Sequence, residues 1–267
     1  MSTNILGDFL RSRRERLRPP EVGLSDGARR RVPGLRREEV AMLAGISAEY
    51  YLRLEQGRDQ HPSDQVLDNI ATALRLDADA ASYLHSLAHP VSAKRRPPRS
   101  EHVSRSVQEL IDGWPVTAAY VTGRTVEVLA ANPLAVALSS WFAPGAVTLR
   151  GIFLDPEMAV FYRDWDEVAA KTVAYLRSII GPDADDPKLV SLIGELSLGS
   201  DRFRTLWARH DVKQKPSGLT RLMHPLVGPL DLHHEKMQLP GTGQVVITYH
   251  ATPGSDSEQR LQLLGSL

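Results

Sequence analysis

The stretch LRREEVAMLAGISAEYYLRLEQG, residues 35–57, has residue types and spacings that could present a short helix to the edges of base pairs. Two helices joined by a very short turn must approach closely. Ala41 is small enough to permit this, Gly45 can take the positive φ that ends the first helix, and Ser47 can cap the second. Val40, Leu43, Ile46, Tyr51 and Leu54 are expected to form a shared core, which turns Ala48, Glu49, Tyr50 and Arg53 outward. Arg36 and Arg37 stand at the start of the first helix, as phosphate clamps do, and Arg58 follows the second. Ala48 is a candidate for a thymine methyl. Arg53 has three readings: two hydrogen bonds to guanine, a phosphate contact, or an ion pair with Glu49 four residues back. A helical hairpin that packs on another protein is the competing reading of the whole stretch.

Catalytic constellations are harder to find. The sequence has no Gly-rich phosphate loop, no H-E-x-x-H and no G-x-S-x-G, and the absence of cysteine removes thiolate nucleophiles, thiolate zinc sites and disulfides. These features predict a protein that is not an enzyme. Asp231, His233 and Glu235 would share one face of a strand, with His234 pointing away. A solvated polar strand surface explains them better than a metal, and no metal or cofactor is expected.

The elements that must position these residues divide the chain. Helical spacing appears at residues 4–17, 36–44, 47–56, 63–74 and 77–88, with a Pro- and Gly-rich loop at 19–34 that holds the Arg29–Arg31 run. That is an all-α unit over residues 1–88. Residues 89–104 read as a basic, Pro-rich linker. From 105 to 253 the pattern mixes: a helix over 103–113, strands over 117–122 and 125–130 around a Gly123–Arg124 turn, helical runs over 156–180, 187–198 and 200–209, and strands over 219–224, 228–239 and 244–250. Strands at both ends with helices between predict an antiparallel sheet covered on one face, an α+β domain. The tail, 254–267, carries a short helical pattern.

Charge agrees with this division. The chain is neutral overall, yet the first hundred residues hold 17 Lys and Arg against 13 Asp and Glu, and the remainder 15 against 19. A clustered basic surface suits a polyanion. No run of apolar residues is long enough to span a bilayer and no signal peptide is visible, so a cytoplasmic protein without membrane contact is expected.

Ala41, Gly45, Ile46, Ser47, Tyr51, Leu54, Glu55 and Gly57 together resemble the helix-turn-helix of the Xre/λ-repressor-like family over roughly residues 4–88. The strings FLDP (153–156), DW (164–165), LR (176–177), FRTLWARHDV (203–212) and HPLVG (224–228) resemble the ligand-binding domain of MmyB-like regulators over about 105–253. The resemblance implies a multi-domain protein: an all-α helix-turn-helix domain followed by an α+β, PAS-like domain that holds a small organic, fatty-acid-like effector between sheet and helices. Candidate ligand contacts are Asn132 at the end of the second strand, Arg177 as a partner for a carboxylate, and Trp165, Trp207 and His224 as pocket walls. The expected partners are a double-stranded operator, a second copy of the chain and RNA polymerase. The alternative is a C-terminal domain that binds no ligand and only dimerises or recruits protein.

Overall fold

A computed structural model of the chain describes residues 4–25, 32–59, 61–89, 101–180, 186–214 and 216–267. The Arg29–Arg31 run and most of the expected linker lie outside these residues.

Five helices follow one another at the N-terminus: α1 (Ile5–Arg16), α2 (Arg37–Ala44), α3 (Ala48–Glu55), α4 (Asp64–Ala73) and α5 (Ala78–Ala88). Their starts are chemically marked. The side chains of Asn4, Ser47, Ser63 and Asp77 each accept a hydrogen bond from a free backbone N–H of the first turn. Gly45 closes α2 at φ 66°, its N–H turned back to the carbonyls of Ala41 and Met42. Phe9, Leu35, Val40, Tyr51, Leu54, Ile70 and Leu84 are fully buried in one core. Leu43, expected in that core, is 37% exposed. The buried stripe of α2 runs through Val40, Ala41 and Ala44, which leaves Leu43 on its rim.

The chain forms two compact units that interleave in sequence. The first comprises residues 1–93 together with 174–185 and 206–214, and the second comprises 94–173, 186–205 and 215–267. Two later helices, α10 (Trp165–Ile180) and α12 (Asp201–Ala208), therefore begin in the second unit and end in the first.

In the second unit α6 (Arg105–Asp112) precedes β1 (Thr117–Thr122) and β2 (Val128–Ala131). Then come α7 (Pro133–Leu138), α8 (Thr148–Leu154), α9 (Glu157–Phe161), the start of α10, α11 (Pro187–Gly199) and the start of α12. β3 (Ser217–His224), β4 (Gly228–Leu239), β5 (Gln244–His250) and α13 (Asp256–Gly265) close the chain. Among the described residues the strands form one antiparallel sheet in the order β2-β1-β5-β4-β3.

Three expectations are corrected here. β2 begins at Val128, three residues later than the spacing suggests, because Val126 takes a left-handed φ of 58° and the turn extends to Glu127. The helical run over 156–180 breaks into α9 and α10 where Tyr162 bridges to Leu222 and Arg163 donates to the carbonyl of Arg221. The sheet is also covered on both faces: Ile111 of α6 packs with Ala119, Val121, Ala130 and Val246 on one, while α7 lies against β1 with Tyr120 and Phe142 stacked on the other.

Candidate nucleic-acid interface and ligand-binding layer

α3 is short, and its cap fixes where it starts. Ser47 Oγ accepts from Tyr50 N at 3.1 Å, so its hydroxyl is engaged at the helix entrance, and Ala48 and Glu49 follow it on the exposed side. Arg53, one turn on, leans 5.6 Å over the Tyr50 ring and sits 3.9 Å from Glu49 Oε1. Glu49 is exposed and the ion pair long, so the guanidinium can exchange it for another acceptor at little cost, whereas Tyr50, expected to face outward, is half-buried against the helical core. Arg36 and Arg58 are exposed at the start of α2 and beyond the end of α3.

Arg37 is placed differently. Its Nε donates to Glu55 Oε2 at 2.6 Å, while Arg14 Nε donates to Glu55 Oε1 at 2.6 Å and Arg14 Nη1 to the carbonyl of Leu35 at 2.9 Å. Glu55 is wholly buried and Arg14 nearly so, whereas Arg37 is 44% exposed. Burial works against the Arg14 charge, but the hydrogen bond and charge of Glu55 outweigh it and hold the guanidinium above its ordinary pKa. The three side chains tie α1, α2 and α3 together and so set the angle at which α3 is presented.

In the second unit, strand pairing puts Tyr120, Ile247, Tyr249, His234, Lys236, Thr220 and Leu222 on one face of the sheet. Phe142 stacks between Tyr120 and Tyr249, with centroids at 4.8 and 5.5 Å. Tyr162 reaches the same layer, hydrogen-bonded to Tyr249; burial pushes the phenols of both upward. Two polar side chains share this face of the sheet. His234 Nδ1 is 2.9 Å from Thr220 Oγ1, and burial lowers the Lys236 ammonium to about 8. An aromatic layer with a few convergent polar groups is the chemistry that takes a small organic molecule.

Of the ligand contacts expected from sequence, His224 ends β3 on this same face of the sheet, and Asn132, Trp165, Arg177 and Trp207 lie outside the strands. The Asn132 amide accepts from Ala119 N and Ala135 N and donates to the carbonyls of Ile111 and Thr117, joining α6, β1 and α7. Trp165 Nε1 donates to the Ile152 carbonyl, and His224 donates through Nε2 to Ala137 while Nδ1 accepts from Leu226 N. Arg177 and Trp207 meet one another in the first unit, the guanidinium 3.9 Å above the indole. Sequence reasoning passed over His234, Lys236, Phe142 and Tyr249. The parity of β4 was the available signal, since His234 and Lys236 share the side of buried Leu230 and Leu232. Asp231, His233 and Glu235 lie on the opposite face. His233 stacks on His250 and reaches Thr252, and Asp231 is 3.5 Å from Arg163. Among the described residues no group of three His, Cys, Asp or Glu side chains is arranged to hold a metal, and no helix is long and apolar enough to cross a membrane.

A capped, glycine-turned helix pair with an outward second helix, joined in one chain to an α+β unit, defines a helix-turn-helix regulator with a separate effector module. Residues 5–84 match a helix-turn-helix domain and residues 103–264 match the MmyB-like transcription regulator ligand binding domain. The chain belongs to this family of MmyB-like transcription regulators. It is accordingly a DNA-binding transcription regulator with a ligand-binding domain, and neither match is to an enzyme family. Comparison with curated proteins finds none that matches the chain.

Proposed function

We propose that the chain acts in the cytoplasm as a homodimer that reads a two-fold symmetric operator through α3 of each protomer, and that a small organic, fatty-acid-like effector alters this binding. The exposed face of α3 carries the DNA-binding half of the reading: Ala48, Glu49 and Arg53 can meet base edges beside half-buried Tyr50, with Arg36 and Arg58 around them for phosphates and Arg37 held back by Glu55. Ser47 contributes by capping the helix.

The effector half rests on the aromatic face of the sheet. A PAS-like fold needs a five-stranded antiparallel sheet with helices on the ligand side, and the order β2-β1-β5-β4-β3 with α7 over β1 fits that requirement. Tyr120, Phe142, Tyr162 and Tyr249 would line an acyl-like body, and His234 and Lys236 would meet an acidic head group. Asn132, Trp165 and His224 brace this layer through hydrogen bonds to the backbone that already engage their polar atoms.

The test has two arms. The purified protein is titrated with its own upstream DNA and with an unrelated fragment across a salt series, and bound small molecules are extracted by denaturation and identified by mass. Preference for the upstream DNA at physiological salt together with a co-purifying carboxylic acid supports both halves. Preference without any extractable or added ligand favours a C-terminal module that dimerises or recruits RNA polymerase. Equal binding to both fragments counts against sequence-specific regulation.

A further inference from the structure

The first unit is not made of the N-terminal helices alone. Residues 206–214, which end α12 and lead toward β3, lie along α1 and α5. Arg13 donates to the carbonyl of His210 at 2.9 Å. Arg16 donates to Asp211 Oδ1 at 2.6 Å and to the Arg209 carbonyl at 2.7 Å. On α5 the signs reverse: Lys213 donates to Asp77 at 2.6 Å, and Gln214 N to Asp79 at 3.0 Å. Between these two sets of contacts Val212, 2% exposed, enters the helical core.

The end of α10 holds this strap from the other side. Arg177 stacks on Trp207, donates to the Trp207 carbonyl and to His210 Nδ1, and bonds to Tyr83 of α5. It is 4% exposed, its described polar partners are neutral, and its Nε has no hydrogen-bond partner. His210 sits at a left-handed φ of 52°, unusual for a residue with a side chain. A join required only to be permanent would be made more stably with apolar groups than with a buried cation and a strained backbone. The surrounding packing, rather than the contact's own stability, holds these groups in place.

We propose that residues 206–214, with Arg177 as their hub, form a relay strap through which the ligand-binding unit biases the DNA-binding helices. The strap is attached at both ends to elements of that unit, since α10 and α12 begin there and β3 follows. A ligand that shifts either helix moves the strap, and with it α1, which carries the Arg14 contact that orients α3. Asp211 and Lys213 are positioning residues in this scheme and do not touch DNA. The proposal rests on the ligand-sensing reading for its physiological signal, but not for its test.

The effect must be reciprocal: if the strap biases DNA binding, DNA binding must alter the strap. Hydrogen exchange of the full chain, with and without its own upstream DNA, reads this directly. The expected result is a change of about fivefold or more in exchange of residues 174–180 and 206–214, at a coupling typical of allosteric sites. In the double variant Asp211→Asn, Lys213→Ala the change disappears while the upstream DNA still binds. Unchanged exchange of both segments in the wild type overturns the proposal, as does an undiminished change in the variant. A third arm adds dodecanoate. An effect on DNA affinity in the wild type that the variant loses supports the relay, and the same effect in both overturns it. Dodecanoate without effect in either protein counts against the fatty-acid reading, and the DNA arm then decides the strap by itself.

Discussion

Buried Glu55 holds two arginines, and its loss leaves Arg14 charged and buried. Removing one partner of a buried pair costs about 3–5 kcal/mol, a large share of the roughly 5–15 kcal/mol that stabilises a domain. Glu55→Ala is therefore expected to unfold the helix-turn-helix at markedly lower denaturant, read by circular dichroism. Arg37→Ala should cost far less stability, because Arg37 is half exposed and Arg14 still satisfies Glu55. Arg53 belongs to a different experiment. Its two partners are weak, and Arg53→Ala should cost about 1–3 kcal/mol on the preferred sequence and little on random DNA. Arg36→Ala and Arg58→Ala should weaken binding to all sequences and lower the salt slope by about 1 each. Fluorescence anisotropy on two DNA fragments at several salt concentrations separates these outcomes.

At the scale of elements, legibility depended on whether the deciding interaction was local. The caps at Ser47, Ser63 and Asp77 and the positive φ at Gly45 are local, and the first five helices could be read to within a residue or two. The break at Tyr162 is not local, because it depends on β3, sixty residues later in the chain. Arg177 was legible as a residue that seeks a partner, but not as one that finds Trp207, His210 and Tyr83. His210 gives this region a pH signature. Burial, then the charges of Arg177, Arg13 and Arg16, take its imidazole from 6.5 down to about 4, with Asp211 opposing. The folded state thus favours the neutral ring. Its contribution is complete above about 6.5 and shrinks as pH falls toward about 4, because the unfolded chain takes up a proton that the folded chain refuses. Thermal melts across that window should lose stability toward acid, and His210→Asn should flatten the loss.

At the scale of the whole molecule, the charge asymmetry visible in the sequence tells which half meets DNA, whereas composition gave no sign that the compact units would interleave. The basic character of the first hundred residues is distributed unevenly in use. Arg14 and Arg37 hold the fold, Arg13 and Arg16 bind the strap, and Arg36, Arg53 and Arg58 remain at the exposed surface around α3. Net charge is accordingly a poor guide to the number of phosphates engaged. The salt slope of the wild type should correspond to fewer contacts than the clustered arginines suggest.

Val212 is a core residue of the N-terminal helices that lies more than a hundred residues beyond the end of α5. An excised fragment ending at residue 89 would lack this keystone, together with the salt bridge from Lys213 to Asp77. Such a fragment should melt below the corresponding helices in the intact chain. The same holds for anyone who grafts these helices onto a foreign sensor: a cut at the linker severs the DNA reader from a piece of its own interior. A graft taken from this chain would then have to carry 206–214 along, or leave its own core unfilled at Val212.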